Sequence, residues 1–179
     1  MYLYILEGYK SEKERQLQTE NLICRALDLY EAETGADFSG YSREIRRQEK
    51  GKPYFTQIPV QFSVSHTADL WVCLMAEGTE PVGVDVQLIR DAAYEKVAGR
   101  YYTEDERQWM ESRGRDGFFQ IWARKEAYAK FTGEGITKKL SAVSTLHCEE
   151  AEFMDFDIKQ GMKGSCCVGK KGELWIRKI

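Results

Sequence analysis

Three short stretches of this sequence carry side chains that could do chemistry together. In VGVDVQ, residues 82–87, strand alternation sets Val82, Val84 and Val86 on one face and Gly83, Asp85 and Gln87 on the other. A carboxylate and an amide oxygen then lie side by side at a strand end, a hard donor pair suited to magnesium; the polar solvent face of an edge strand has the same pattern. In WARKEAYAK, residues 122–130, Phe119, Trp122, Glu126 and Ala129 recur at helical spacing, which sets Glu126 on or beside an apolar face. Lys130, one turn on, could pair with it as a solvated Glu–Lys pair, and Lys125 lies on a flanking face. In FSVSHT, residues 62–67, Ser63, Ser65 and His66 close a strand. No acid is placed to orient the histidine, which argues against a hydrolase triad and leaves His66 either binding an anion or serving as a plain loop residue.

Local patterns predict the elements that must position these groups. Residues 2–6 read as a first strand, and Ser11 with Glu14 has the spacing of a capping box opening a helix. The apolar face of that helix is Leu22, Ile23, Ala26, Leu27 and Tyr30, and Gly35 ends it. Residues 60–66 alternate strictly and predict a half-buried strand; residues 70–76 are nearly all apolar, and residues 81–87 form a third strand after the turn EGTE. Three strands in close succession suggest one antiparallel sheet. Thr103 and Glu106 offer a second capping box, for a helix to about residue 113. A longer helix spans about 116–132 with Gly133 as its C-cap, and residues 151–179 read as short strands joined by Gly-rich turns. Helix and strand are segregated within each half of the chain, which predicts an α+β fold.

Bulk properties narrow the function. A chain of 179 residues suffices for one domain or two small fused ones. A formal net charge of −3 argues against a general nucleic-acid binder, although Arg43, Arg46 and Arg47, or Lys138 and Lys139, could serve an anionic ligand. The N-terminus MYLYILEGYK lacks a basic region and becomes charged at Glu7, unlike a secretory signal, and no apolar run is long enough to span a bilayer. Five cysteines without a CxxC pair, and only two histidines, disfavour a structural zinc site and suit free thiols in a reducing cytosol.

Taken together, GKPYF…FSVSHT, then VGVDVQ, then WARKEAYAK followed by a Gly-containing turn, resemble the 4′-phosphopantetheinyl transferases of the surfactin-synthetase-activator type. The resemblance covers residues 40–135, including RYYTEDE, and is weak at both ends. Enzymes of that family move the phosphopantetheine arm of coenzyme A onto a serine of an acyl or peptidyl carrier protein and release 3′,5′-ADP. The resemblance implies Asp85 and Glu126 as magnesium-binding acids, with Gln87 in the place of a third acid found in many members. It implies Lys130, and Lys125 as a second lysine, at the phosphates. Lys52, Pro53, Ser65 and His66 match positions that line the coenzyme A nucleotide and phosphates, and Glu106 matches an acid near the reaction centre. Lys10, Lys13, Arg15, Arg46 and Arg47 are all candidates for the 3′-phosphate.

The family fold is two similar α+β halves related by a pseudo-twofold, with the active site in the cleft between them. Here that implies halves of residues 1–82 and 83–179 and a cytoplasmic monomer that needs no membrane or nucleic acid. Tyr101, Tyr102, Trp109, Met110, Phe118 and Phe119 could meet a carrier protein or form core. Two other readings use the same residues: a magnesium-dependent nucleotide phosphohydrolase, and a non-catalytic module binding coenzyme A or a carrier protein.

Overall fold

The structure is a computed structural model that describes residues 1–10, 15–91, 94–170 and 172–179. The capping box expected at Ser11 and Glu14 lies outside the described residues. In chain order the elements are β1 (Tyr2–Glu7), α1 (Arg15–Thr34), β2 (Ile45–Arg47), β3 (Pro53–Phe55), β4 (Val60–Thr67), β5 (Leu70–Glu77) and β6 (Val82–Leu88). There follow α2 (Tyr94–Tyr101), α3 (Glu104–Glu111), α4 (Gly114–Thr132), a 3-10 turn at Lys138–Ala142, β7 (Glu152–Phe156), β8 (Met162–Val168) and β9 (Trp175–Lys178). This is a mixed fold of helices and mainly antiparallel sheets.

Alternation along the strands builds a layered core. Tyr4, Trp71, Cys73 and Met75 turn outward from the first sheet onto Ile23, Ala26, Leu27 and Tyr30 of α1. Their neighbours in sequence, Leu3, Ile5, Leu70, Val72 and Leu74, face inward and pack on Val82, Val84, Val86, Met154 and Cys166 of the second sheet. Each fully buried side chain of this kind contributes about 1.5–3 kcal/mol relative to exposure, so the packing of sheet on sheet is a principal source of stability. The helix α4 closes the stack on the far side of the second sheet, with Ala127 and Tyr128 against Cys167.

The expectation of a single sheet through residues 60–87 is corrected. Beside the two-stranded β2-β3 sheet, one larger sheet has the order β4-β5-β1-β9 and the other β6-β8-β7, so β6 opens the second large sheet, pairing antiparallel with β8 from Val82↔Val168 to Leu88↔Met162. Leaving β9 aside, the two sheets share one connectivity: a strand, a helical segment and a hairpin whose second strand lies in the middle. The last strand, β9, returns to the first sheet and runs parallel to β1, so a cut at residue 82 does not separate the two sheets completely.

Nor is β4 half-buried as its alternation predicts. Ser63 and Ser65 are both buried, because the face that carries them meets β6. There the Val84 and Val86 N–H groups donate to Ser63 Oγ at 3.1 Å and Ser65 Oγ at 3.4 Å. Two serine hydroxyls thus satisfy backbone donors on the free edge of β6 that would otherwise be unpaired beside the core.

The aromatic-rich region resolves mainly into core. Tyr102, Met110, Phe118 and Phe119 are buried together between α2, α3 and α4, whereas Tyr101 and Trp109 are partly buried at its margin. Among the described residues no helix is long and apolar enough to cross a membrane. All five cysteines are free, and burial pushes the Cys73, Cys166 and Cys167 thiols well above their ordinary range, where they are poor nucleophiles.

Candidate active site

The three motifs meet where the edge of β4, the edge of β6 and the last turns of α4 come together. Gly83 makes that approach possible. A Cβ at this position would lie 1.9 Å from the Ala127 carbonyl oxygen and 2.7 Å from the Phe131 nitrogen, so only glycine lets α4 lie on β6 this closely. The face of β6 that carries Gly83 and Asp85 is therefore covered by a helix, and Asp85 is only 2% exposed.

Asp85 is held from three sides. Its Oδ1 accepts from Ser65 Oγ at 2.7 Å and from Lys130 Nζ at 2.7 Å, and its Oδ2 accepts from Gln87 Nε2. Lys130 also donates to the Val84 carbonyl at 2.9 Å. The pair expected within α4 between Glu126 and Lys130 gives way to this long-range one, because the lysine side chain crosses to β6. Glu126 instead accepts a hydrogen bond from the Trp122 side chain. Trp122 stacks in turn on Phe118, with 6.4 Å between ring centroids.

A pocket of about 600 Å³ opens over these groups, lined by Ser65, His66, Asp85, Gln87, Glu126 and Lys130, with Arg47 opposite and Gln16 and Thr19 from α1. A second pocket of about 330 Å³ shares Arg47, Val64, Glu126 and Lys130 with the first and adds Lys50, Lys52, Pro53 and Ile136. The two form one cleft that pinches at the shared residues. Lys52 spans its floor, donating to the carbonyls of Val82 at 3.0 Å and Phe131 at 3.4 Å. Burial lowers its pKa to about 8.

Electrostatically the cleft is divided. Burial first, then the charge of Asp85, raises the Glu126 pKa to about 7, with Lys130 and the Trp122 hydrogen bond opposing the shift. Lys130 is engaged by Asp85 at 2.7 Å, so a cation held between the two acids would relieve their repulsion. Among the described residues no three histidine, cysteine or acidic side chains converge on one point. Two carboxylates and the Gln87 amide oxygen nevertheless fit magnesium, which keeps several waters and takes few protein ligands.

Two residues named from sequence lie elsewhere. Lys125 and Glu106 are both wholly buried and paired at 2.7 Å, away from either pocket. Glu106 Oε1 also accepts from the Thr145 N–H at 2.7 Å and hydroxyl at 2.8 Å, and Oε2 accepts from the Thr103 N–H at 2.9 Å. Lys125 donates as well to the Leu140 and Val143 carbonyls. Every oxygen and proton of the pair faces protein, so it ties α3 and the 138–145 segment to α4. Sequence reading did not single out Gln16, Thr19 or Lys50; the helical i, i+3 spacing of the first two is their only local signal.

A family model described as the 4′-phosphopantetheinyl transferase superfamily matches residues 81–168, the segment that contributes Asp85, Gln87, Glu126 and Lys130. Residues 81–168 belong to the 4′-phosphopantetheinyl transferase superfamily. A 4′-phosphopantetheinyl transferase of Bacillus pumilus is 37% identical over 109 residues, 57% of this chain and 45% of that protein. The transferase gsp of Aneurinibacillus migulanus is 33% identical over 96 residues, 51% of this chain and 39% of its own length. AcpT of Escherichia coli K12 is 34% identical over 110 residues, 58% of this chain and 56% of its own. The chain spans about half the length of these transferases.

Proposed function

We propose that this protein transfers the 4′-phosphopantetheine arm of coenzyme A to a serine of an acyl or peptidyl carrier protein. The observation that carries the reading is the convergence of Asp85, Glu126 and Lys130, from distant parts of the chain, on one pocket beside Lys52. Asp85 and Glu126, with Gln87, would hold magnesium, which when bound polarises phosphoryl oxygens and neutralises charge on the leaving group. The chain's own residues do the rest. Lys130 places an ammonium where charge develops on the departing phosphate, and Ser65 keeps the Asp85 carboxylate oriented. Lys52 and Pro53 line the nucleotide side of the cleft.

The carrier serine oxygen forms a bond to the phosphorus bearing pantetheine as the phosphoanhydride bond breaks, and 3′,5′-ADP departs with the bonding electrons. Glu126, on the wall of the same pocket, receives the serine proton. Glu106 serves instead as a buried anchor, since its oxygens are occupied by Thr103, Thr145 and Lys125. The buried, unreactive thiols suit direct transfer without a covalent enzyme intermediate. We place the cleft between two similar α+β halves, residues 1–82 and 83–179, in a cytoplasmic monomer, since one chain supplies both walls.

Incubation with coenzyme A, magnesium and a panel of apo carrier proteins tests the reading by mass. A carrier heavier by the phosphopantetheine arm is the expected product. Failure to modify any carrier by folded protein would exclude the transferase, and phosphate release without a carrier would mark a hydrolase.

A further inference from the structure

The β2–β3 hairpin stands apart from both large sheets and forms one wall of the second pocket. Its two ends are held differently. At the open end Phe55 is buried in the first core with its ring 4.8 Å from that of Phe62, and Ile45 packs against the same cluster. At the turn end the sequence is Gln48, Glu49, Lys50, Gly51 and Lys52, with no apolar side chain to anchor it.

Lys52 holds that end. Its ammonium donates to the Val82 carbonyl at 3.0 Å and to the Phe131 carbonyl at 3.4 Å. Val82 lies on the edge strand β6, where the equivalent carbonyl two residues on, that of Val84, accepts from Lys130 at 2.9 Å. Phe131 lies in the last turn of α4, where carbonyls lack partners within the helix and the helix dipole favours a cation. Gln48 adds a second contact, since a Cβ on Gly133, the C-cap of α4, would lie 3.0 Å from its Oε1. The hairpin therefore runs as a strap from the first core to the backbone of β6 and α4, the two elements that carry Asp85, Glu126 and Lys130.

We propose that Lys52 is a positioning residue: its ammonium fastens the turn end of this strap and so sets the hairpin wall of the cleft against Asp85, Glu126 and Lys130. Two of its three protons are spent on backbone, so the charge serves the fold while the stem lines the pocket. Packing of α4 on β6 at Gly83 does not depend on it, so loss of Lys52 should free the wall and leave the acids in place. The inference rests on these contacts alone; the transferase reading supplies only the donor used in the kinetic part of its test.

Hydrogen exchange of the protein alone compares Lys52→Met and Lys52→Arg with wild type. At the turn end the Gln48 N–H donates to the Lys52 carbonyl and the Gly51 N–H to the Gln48 carbonyl; at the open end the Thr56 N–H donates to the Glu44 carbonyl. In Lys52→Met the Gln48 and Gly51 amides should exchange about 10- to 100-fold faster, the range for losing hydrogen bonds from a charged group. The Thr56 amide should change by less than about threefold, because local opening need not spread along the hairpin. Lys52→Arg, which keeps the donors, should fall between. Equal acceleration at both ends, or none at the turn end, would overturn the proposal. In transfer assays KM for coenzyme A should rise in Lys52→Met by a larger factor than kcat falls; the reverse would put Lys52 at the reacting atoms and overturn it too. A wild type that transfers nothing, with this exchange pattern intact, keeps the positioning role and discards the transferase reading. Transfer without the exchange pattern does the opposite.

Discussion

Lys130 Nζ lies 2.7 Å from Asp85 Oδ1, a contact between the end of α4 and β6 that joins residues 45 positions apart. It draws the lysine across to β6 and, among the described residues, leaves Glu126, one turn earlier, with no ion pair of its own. The chemistry proposed for the site follows from that exchange.

Asp85→Asn and Glu126→Gln should each lower kcat/KM by at least about 100-fold, since each removes a charge from the group that stabilises the transition state. Both keep side-chain volume, so circular dichroism should match wild type. Activity above a tenth of wild type in either variant would count against the assignment.

Glu126 also makes stability depend on pH in the metal-free protein. Its folded pKa, about 7, lies above the ordinary carboxylate value of 4.5. Its contribution is therefore full below pH 4.5 and lost as the pH rises through about 7. Melting temperatures measured across that window should fall more for wild type than for Glu126→Gln, and magnesium should restore wild type at pH 8. Parallel curves for the two proteins would refute the shift.

Gln87 donates to Asp85 Oδ2, so replacing it by glutamate sets a second carboxylate against the first. Gln87→Glu should destabilise the metal-free protein and lower the magnesium concentration needed for half-maximal activity. A magnesium titration unchanged from wild type would remove Gln87 from the metal's surroundings.

The buried Lys125–Glu106 pair predicts a different outcome. Lys125→Met or Glu106→Gln leaves a charge with an unmatched partner away from water, which costs about 3–5 kcal/mol. Urea denaturation should show that loss, and the double variant Lys125→Met/Glu106→Leu should recover much of it. A double variant as unstable as the sum of the two would mean that the two charges are not coupled.

Gly83→Ala tests the close approach that assembles the site. Its methyl group would meet backbone of α4 rather than a flexible side chain, so a loss at the upper end of ~1–3 kcal/mol is expected. The shift of α4 should lower transfer activity too, measured on the fraction still folded.

Local pattern in the sequence determined a good deal. A nearly continuous apolar run over residues 70–76 marked β5, helical spacing and Gly133 marked the extent and end of α4, and Gly133 indeed adopts a left-handed φ of 74°. Thr103 and Glu106 marked the start of α3. These signals are legible because backbone geometry decides which side chains share a face within a few residues. Alternation could not say what covers a face. Only the tertiary structure laid α4 on the Asp85 face of β6, sealed Ser63 and Ser65 against that strand's edge, and returned β9 to the first sheet. It also sent Lys130 to Asp85 rather than to Glu126, enclosed Lys125 with Glu106, and left Arg47 facing the cleft. Burial and ion pairing are properties of contacts between distant segments, and a charged side chain takes the partner that packing brings to it.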